Sequence, residues 1–223
     1  MPENPVVISL CDRTGNMVRP WAEAGYQCWC IDLQNTHRRR LEQNIFFFSS
    51  NVMFWEPPKY CFPLIWFAFP SCTDLASSGA RWWKGKGLTA LSKAIALVGR
   101  CAELADKTQA PWMIENPIGS LATYWRKPDA QFDPCDYGGY LDPIGDEYTK
   151  RTCLWTGNGF NVPIPKPVFP IEGSRMHLVS PSEDRANIRS ETPKGFAQAV
   201  FLANEPMVRQ RLSKLELETA PDA

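Results

Sequence analysis

The chain has 223 residues, 44% of them hydrophobic and 22% charged, the usage of a folded globular protein rather than a disordered one. Its 24 basic and 24 acidic residues cancel, which excludes a uniformly basic coat for nucleic acid but not a local basic cleft. The longest apolar run, Cys61 to Phe69, contains Pro63 and falls far short of the ~20 residues of a membrane helix, and no basic segment followed by an apolar one opens the chain. The expectation is a soluble cytoplasmic protein with no membrane partner, built as one domain or as one domain with a small lobe. Eight cysteines are too sparse for a disulfide scaffold, and none are spaced C-x-x-C, so no metal is expected.

Val6 to Leu10 is short, apolar and rich in β-branched residues, and reads as a buried strand. Asp12 to Asn16 is a turn. Met17 to Ala24 reads as a short helix in which Pro20 is tolerable only near the first turn, and Gly25 stops it. Tyr26 to Asp32 is a second strand, with Cys28 and Cys30 on one face as small buried hydrophobes. A third strand is expected within Asn44 to Phe48 and Val52 to Trp55. Phe62 to Phe69 carries the strongest strand signal and ends at Pro70-Ser71-Cys72. Leu88, Leu91, Ile95, Val98, Cys101 and Leu104 recur at steps of three or four, which predicts an amphipathic helix over 88–104. Trp112 to Ile114 begins another strand that runs into Glu115-Asn116-Pro117. Thr152 to Trp155 is a further strand candidate. Asn161 to Pro170 holds Pro163, Pro165, Pro167 and Pro170, so it is extended and no central strand. A helix is expected over 193–204 with Thr192 as its cap, a last one over Val208 to Leu217, and fraying beyond.

The strand–turn–helix–strand start and the β-α-β unit over 62–115 predict an α/β fold with a mostly parallel sheet. Ligands of such sheets bind beyond the carboxyl ends of the strands. Asp12 to Asn16, Asp32, Cys72 and Glu115 each stand just past such an end, so different polar groups converge on one edge. Thr14-Gly15-Asn16 lacks G-x-G-x-x-G, which argues against a dinucleotide. Asp32 suits ribose hydroxyls or a helix cap. Cys72, in a turn between Pro70 and the polar Thr73-Asp74, suits a nucleophile or packing. Glu115 suits a functional or a structural carboxylate.

These residues resemble the cytosine-5 DNA methyltransferases, in particular the short phage-type members, from about Val6 to Asn204. Phe69-Pro70-Ser71-Cys72-Thr73 with Gly79 seven positions after the cysteine is similar to the family's catalytic loop. Ile114-Glu115-Asn116-Pro117 is similar to its Glu-Asn motif. Asp12 to Asn16 looks like the cofactor loop, Asp32-Leu33 like the ribose-binding acid, and Asn51-Val52 falls where the family contacts adenine. Tyr148 to Trp155, then Ser180-Pro181-Ser182 through Arg185, Arg189-Ser190 and Thr192 to Gly195, are similar to the C-terminal blocks of the phage group. Ser71 replaces the second proline of the catalytic loop, the cofactor loop is poor in glycine, and Asn51 replaces an aspartate.

The resemblance implies a Rossmann-like S-adenosylmethionine-dependent methyltransferase fold, with a mostly parallel twisted sheet flanked by helices and a minimal irregular recognition lobe. It divides the chain into a catalytic and cofactor-binding domain over 1–156, a small proline-rich insertion over 157–184, returning helices over 185–217 and a tail over 218–223. It implies methyl transfer to C5 of cytosine in DNA, on a flipped-out base, through a covalent adduct of Cys72 with C6. Glu115 then holds a proton at N3, and Arg151 braces the pyrimidine or Glu115. The implied cofactor is S-adenosyl-L-methionine, leaving as S-adenosyl-L-homocysteine, held by Asp12, Thr14, Gly15, Asn16, Met17, Asp32, Leu33, Asn51, Val52, Pro70 and Gly195. DNA is the implied partner, met by Arg81, Trp82, Trp83, Lys84, Lys86 and Lys150, with Arg38 to Arg40, Arg126 and Lys127 as further cations, the run His37 to Arg40 reading alternatively as a solvated helix face. A bacterial host or phage-infected cell is the implied setting, and a specificity partner or a homodimer stays open. Two alternatives accompany this reading: an inactive DNA- or protein-binding relative, and the same chemistry on single-stranded DNA, RNA or a free cytosine nucleotide.

Overall fold

The computed structural model describes residues 4–36, 39–174 and 190–219. The calls on His37, Arg38, Ser180 to Ser182, Arg185 and Arg189 lie outside the described residues. The chain forms an α/β fold around one eight-stranded, mostly parallel sheet flanked by helices, compatible with a Rossmann-like architecture. Its strands are β1 (Asn4–Leu10), β2 (Cys28–Asp32), β3 (Arg39–Glu42), β4 (Ile45–Ser49), β5 (Cys61–Ala68), β6 (Trp112–Pro117), β7 (Ala130–Phe132) and β9 (Thr152–Gly157). A separate parallel pair joins β8 (Tyr148–Thr149) to β10 (Gly173–Ser174). The order across the sheet is β3-β4-β2-β1-β5-β6-β9-β7. Strands β4, β2, β1, β5 and β6 are mutually parallel, while β9 runs antiparallel to β6 and β7 antiparallel to β9.

Burial on both faces explains the continuous apolar runs of the central strands. Val7 and Phe67 point to one core, with Trp21, Phe196 and Val200. Ile8, Leu10 and Trp66 point to the other, with Val98, Cys101, Leu104 and Trp155. Helix α1 (Arg19–Glu23) and the long α4 (Lys194–Thr219) cover the first face, and α2 (Trp83–Asp106) covers the second. A four-residue helix, α3 (Leu121–Tyr124), follows β6. Among the described residues, no helix is long and apolar enough to cross a membrane.

The structure corrects four local expectations. Val52 to Trp55 is not a strand, because Asn51 turns the chain: its carbonyl accepts the Phe54 N–H (3.0 Å) and its side-chain oxygen the Met53 N–H (3.0 Å). Arg39-Arg40 lies on edge strand β3 rather than a helix face. Gln43 and Asn44, both with positive φ, close its hairpin with β4. The two C-terminal helices are one, α4, running through Pro206. Phe196, Ala199 and Val200 before that proline and Val208 after it are all buried in the same core, so packing overrides the break. Helix α2 starts five residues before Leu88 and bends at Gly87 (φ 73°), which leaves Leu88 exposed while Val98, Cys101 and Leu104 are buried as expected.

Residues 161–170 are extended, as the prolines predict, and are pinned to the turns over 134–140. Tyr137 and Tyr140 donate their hydroxyls to the carbonyls of Pro163 (3.0 Å) and Ile164 (2.7 Å).

Candidate active site

The connections from β1 diverge: β2 lies on one side of it and β5 on the other, which is where open sheets of this kind form a crevice. The turn after β1 is built by Asp12. Its buried carboxylate accepts the Ser9 hydroxyl (2.8 Å), the Gly15 N–H (2.7 Å), and the Thr14 N–H (3.0 Å) and hydroxyl (3.2 Å). Burial pushes its pKa up and these hydrogen bonds pull it back. Gly15 is left-handed (φ 69°), and a Cβ there would lie 2.9 Å from the Phe47 ring. Asn16 is buried and donates its amide to Glu191 Oε1 (2.9 Å) and the Thr192 carbonyl (3.3 Å), tying the turn to the start of α4.

The residues expected to hold a cofactor therefore divide into two groups. Thr14, Asp32, Leu33 and Asn51 offer accessible surface along the edge. Asp32 ends β2 and is half-buried, with its pKa raised by burial. One of its oxygens accepts the Gln34 N–H (2.6 Å), and the carboxylate takes no other hydrogen bond among the described residues. Met17 has no exposed surface and Val52 is buried, so both act as core beneath the edge. Asp12 is consumed in shaping the turn. Pro70 is buried and offers its carbonyl to Asn116. Gly195 allows a close approach, but to protein: a Cβ would lie 2.4 Å from the Tyr137 carbonyl oxygen, and its N–H donates to Asp146 (2.6 Å).

Cys72 lies in the loop after β5. Glu115 lies within β6, paired with Leu154 of β9, and not past the strand end as expected, because the antiparallel pairing with β9 carries β6 on to Pro117. The two segments belong to adjacent parallel strands that pair Ala68 with Ile114. Three sets of contacts bind them together. The Asn116 amide donates to the Pro70 carbonyl (2.9 Å), Ala76 bridges Gly119, and the Ser120 N–H donates to the Leu75 carbonyl (2.9 Å). Gly119 is required there, since a Cβ would lie 2.0 Å from the Leu75 oxygen. Cys72 is half-buried, and its carbonyl accepts from Leu75 and Ala76, so the loop turns immediately after the thiol.

Glu115 Oε1 is sealed from solvent with no hydrogen-bond partner among the described residues, and so is Asn116 Oδ1. Burial pushes the Glu115 pKa up, and Lys150 and the Thr152 hydroxyl oppose that shift only in part. Strand β9 brings these groups in by pairing Pro117 with Thr152. The charge acting on Glu115 is that of Lys150, while Arg151 turns away to Asp133 (3.2 Å) with its side chain half exposed. Asp133 also accepts the Lys150 N–H (2.8 Å), and Lys150 Nζ reaches the Glu191 carbonyl (3.5 Å). Nothing local marks Asp133, because its partners lie 17 and 18 positions away across a strand pair too short to read.

Of the residues expected to meet nucleic acid, Arg81 stacks on the exposed Trp82 (5.0 Å), and Lys84 is exposed. Trp83 is half-buried with its Nε1 sealed and unpartnered among the described residues. Lys86 instead closes the loop that carries Cys72, donating to Asp74 (2.6 Å) and to the Thr73 carbonyl (3.2 Å). Arg126 is held by Asp129 and the Thr156 carbonyl, and Arg40 lies over Phe47. Among the described residues, no group of three or more His, Cys, Asp or Glu is placed to hold a metal ion. Compared with models of known protein families and with curated protein sequences, the chain has no significant match.

Proposed function

We propose that the protein is a DNA cytosine-5 methyltransferase that uses S-adenosyl-L-methionine, with Cys72 as nucleophile and Glu115 as the acid. The observation that carries this reading is the presence of two chemically different groups on segments bound to each other: a cysteine in the loop after β5 and, on the adjacent strand β6, a carboxyl with an oxygen sealed and unpartnered among the described residues. A buried acceptor without a partner is costly and marks a place where a ligand donor belongs. Burial raises the pKa of Glu115, the direction that favours the protonated carboxyl which protonation of a ring nitrogen requires.

The edge residues suit the cofactor. Asp32 has carboxylate capacity left for ribose hydroxyls, and the sulfonium needs no glycine-rich phosphate cradle. When bound, S-adenosylmethionine supplies a methyl group made electrophilic by the sulfonium. Cys72, as thiolate, adds to C6 of cytosine while Glu115 holds the proton at N3; together they place electron density on C5, the atom that is methylated. Loss of the C5 proton then expels Cys72. In duplex DNA the base must leave the stack first, at about a few kcal/mol, which cationic contacts to phosphate offset. Lys150 occupies the role expected of Arg151 beside Glu115, and Arg151 supports that segment through Asp133.

The test is transfer of tritium from methyl-labelled S-adenosylmethionine to duplex DNA, followed by digestion. The expected result is labelled 5-methylcytosine with the wild type and none with Cys72→Ala. No product on duplex DNA, single-stranded DNA, RNA or dCMP would reject the reading. Full turnover by Cys72→Ala would reject the nucleophile.

A further inference from the structure

The residues just before α4 join the turn after β1 to the neighbourhood of Glu115. Glu191 lies 175 positions from Asn16 and 41 from Lys150, and it bonds to both. Its carboxylate accepts the Asn16 amide (2.9 Å), and the Thr192 carbonyl accepts the same amide (3.3 Å). Its own carbonyl accepts from Lys150 Nζ (3.5 Å). Asn16 is buried and fixed by its turn: its N–H donates to the Thr14 hydroxyl (3.2 Å), which donates to Asp12 (3.2 Å). On the other side of Glu191, Thr192 and Pro193 are buried, and the Gly195 N–H is held by Asp146 (2.6 Å). One run of hydrogen bonds therefore leads from Asp12 through Thr14, Asn16 and Glu191 to Lys150.

Lys150 needs such a hold, because a four-carbon stem lets an ammonium take many positions. Among the described residues its Nζ forms no ion pair, and the Glu191 carbonyl is its one hydrogen-bond acceptor. Burial raises the pKa of Glu115, and Lys150 and then the Thr152 hydroxyl oppose it. Cys153 also faces Glu115, its own pKa raised by burial and then by the Glu115 charge, while Arg151 is turned to Asp133. Coulomb attraction falls with distance, so the place of the ammonium sets how strongly it opposes burial at Glu115. That place depends on a backbone carbonyl anchored through the Glu191 side chain. The anchor needs an acceptor at position 191 and not a charge.

We propose that Glu191 is a positioning residue: the Asn16 amide holds its carboxylate, and its carbonyl holds the Lys150 ammonium beside Glu115. The inference deepens the methyltransferase reading and rests on it only for the use made of the Glu115 proton. It makes the acid of β6 depend on the turn after β1, so the two ends of the site are set together.

The test is a carboxyl carbon-13 NMR titration of protein labelled in its glutamate side chains, with Glu115 assigned by the signal lost in Glu115→Gln. Lys150→Met should move the Glu115 midpoint up, because the cation that opposes burial is gone. Glu191→Ala should move it the same way by a smaller step, and Glu191→Gln, which keeps an acceptor for Asn16, should restore the wild-type midpoint. Asn16→Ala should match Glu191→Ala, and the two combined should shift no further than either alone. Activity that needs the protonated carboxyl falls as pH rises through the midpoint, so the alkaline limb of single-turnover methyl transfer should move up in Glu191→Ala. A purely structural role would lower the melting temperature of Glu191→Ala and leave the midpoint in place, which overturns the proposal. So does an unmoved Lys150→Met midpoint, or a Glu191→Gln midpoint displaced as far as that of Glu191→Ala. Additive shifts overturn the link to the turn, and if Asn16→Ala fails to fold the two Glu191 variants decide. Midpoints that move as expected without 5-methylcytosine from the wild type would reject the methyltransferase reading and leave the hold on Lys150 standing. Methylation with an unmoved Glu191→Ala midpoint would do the reverse.

Discussion

The turn after β1 and the C-terminal half of β6, tied to the loop after β5, treat buried polar groups in opposite ways. In the first, the Asp12 carboxylate is filled by four donors from its own turn, and the Asn16 amide reaches two acceptors. In the second, Glu115 Oε1 and Asn116 Oδ1 are sealed without partners among the described residues. Satisfied groups of the first kind build a surface, whereas unsatisfied ones of the second kind store a cost that a ligand can relieve. Under the proposed function, the difference separates residues that shape the cofactor edge from residues that act on a substrate.

Replacing Glu115 breaks the comparison on the unsatisfied side. Glu115→Gln should lower methyl transfer by about 10²–10³-fold, read in single-turnover assays. Its effect on stability has the opposite sign. Burial raises the folded pKa of Glu115 above its unfolded value, so the folded state binds the proton more tightly and stability falls as pH rises through the raised pKa. Glu115→Gln should remove that part of the decline, so its melting temperature gains on the wild type as pH rises. A wild-type advantage growing with pH would contradict this. Asp12→Ala breaks the satisfied side. It should cost about 2–3 kcal/mol, or roughly 5–10 °C in melting temperature, by orphaning the donors of the turn. Cofactor affinity measured by calorimetry should fall with it.

Gly119→Ala sharpens the contrast. Its Cβ would push against the Leu75 carbonyl and part the loop after β5 from the loop after β6, at about 1–3 kcal/mol. Turnover should fall while cofactor affinity stays near wild type, the reverse of the pattern for Asp12→Ala. Asp133→Asn should have the smallest effect, a several-fold loss of turnover worth ~1 kcal/mol, because the amide can keep one acceptor but loses the charge facing Arg151. A shift in the pH profile of turnover, and not only in its amplitude, would mark Asp133 as positioning Lys150 beside Glu115.

Much of this edge was legible because it is written locally. The β-branched and aromatic runs of β1, β2, β5 and β6 are buried on both faces, so composition alone marks them. Asp32 then closes β2 and Cys72 follows β5 as the runs predict, while Glu115 falls inside β6, whose extension to Pro117 depends on β9. What stayed illegible depends on distant partners. Edge strand β3 carries the polar sequence Arg39-Arg40-Leu41-Glu42 and exists because the hairpin at Gln43-Asn44 pairs it with β4. Pro206 reads as a helix break until the core on both sides of it is known. Lys86 reads as a free cation until Asp74, twelve residues earlier, folds back onto it. Gly195 reads as a place for a ligand until Tyr137 fills it.

The most direct measurement is a denaturing mass spectrum of the protein after incubation with S-adenosylmethionine and a duplex bearing 5-fluorocytosine, where fluorine at C5 blocks the elimination that would free the sulfur. The account predicts an adduct with the mass of protein plus methylated oligonucleotide, mapped to the peptide containing Cys72 and absent from Cys72→Ala. An unmodified Cys72 in a preparation that methylates ordinary cytosine, or an adduct on another cysteine, would contradict it.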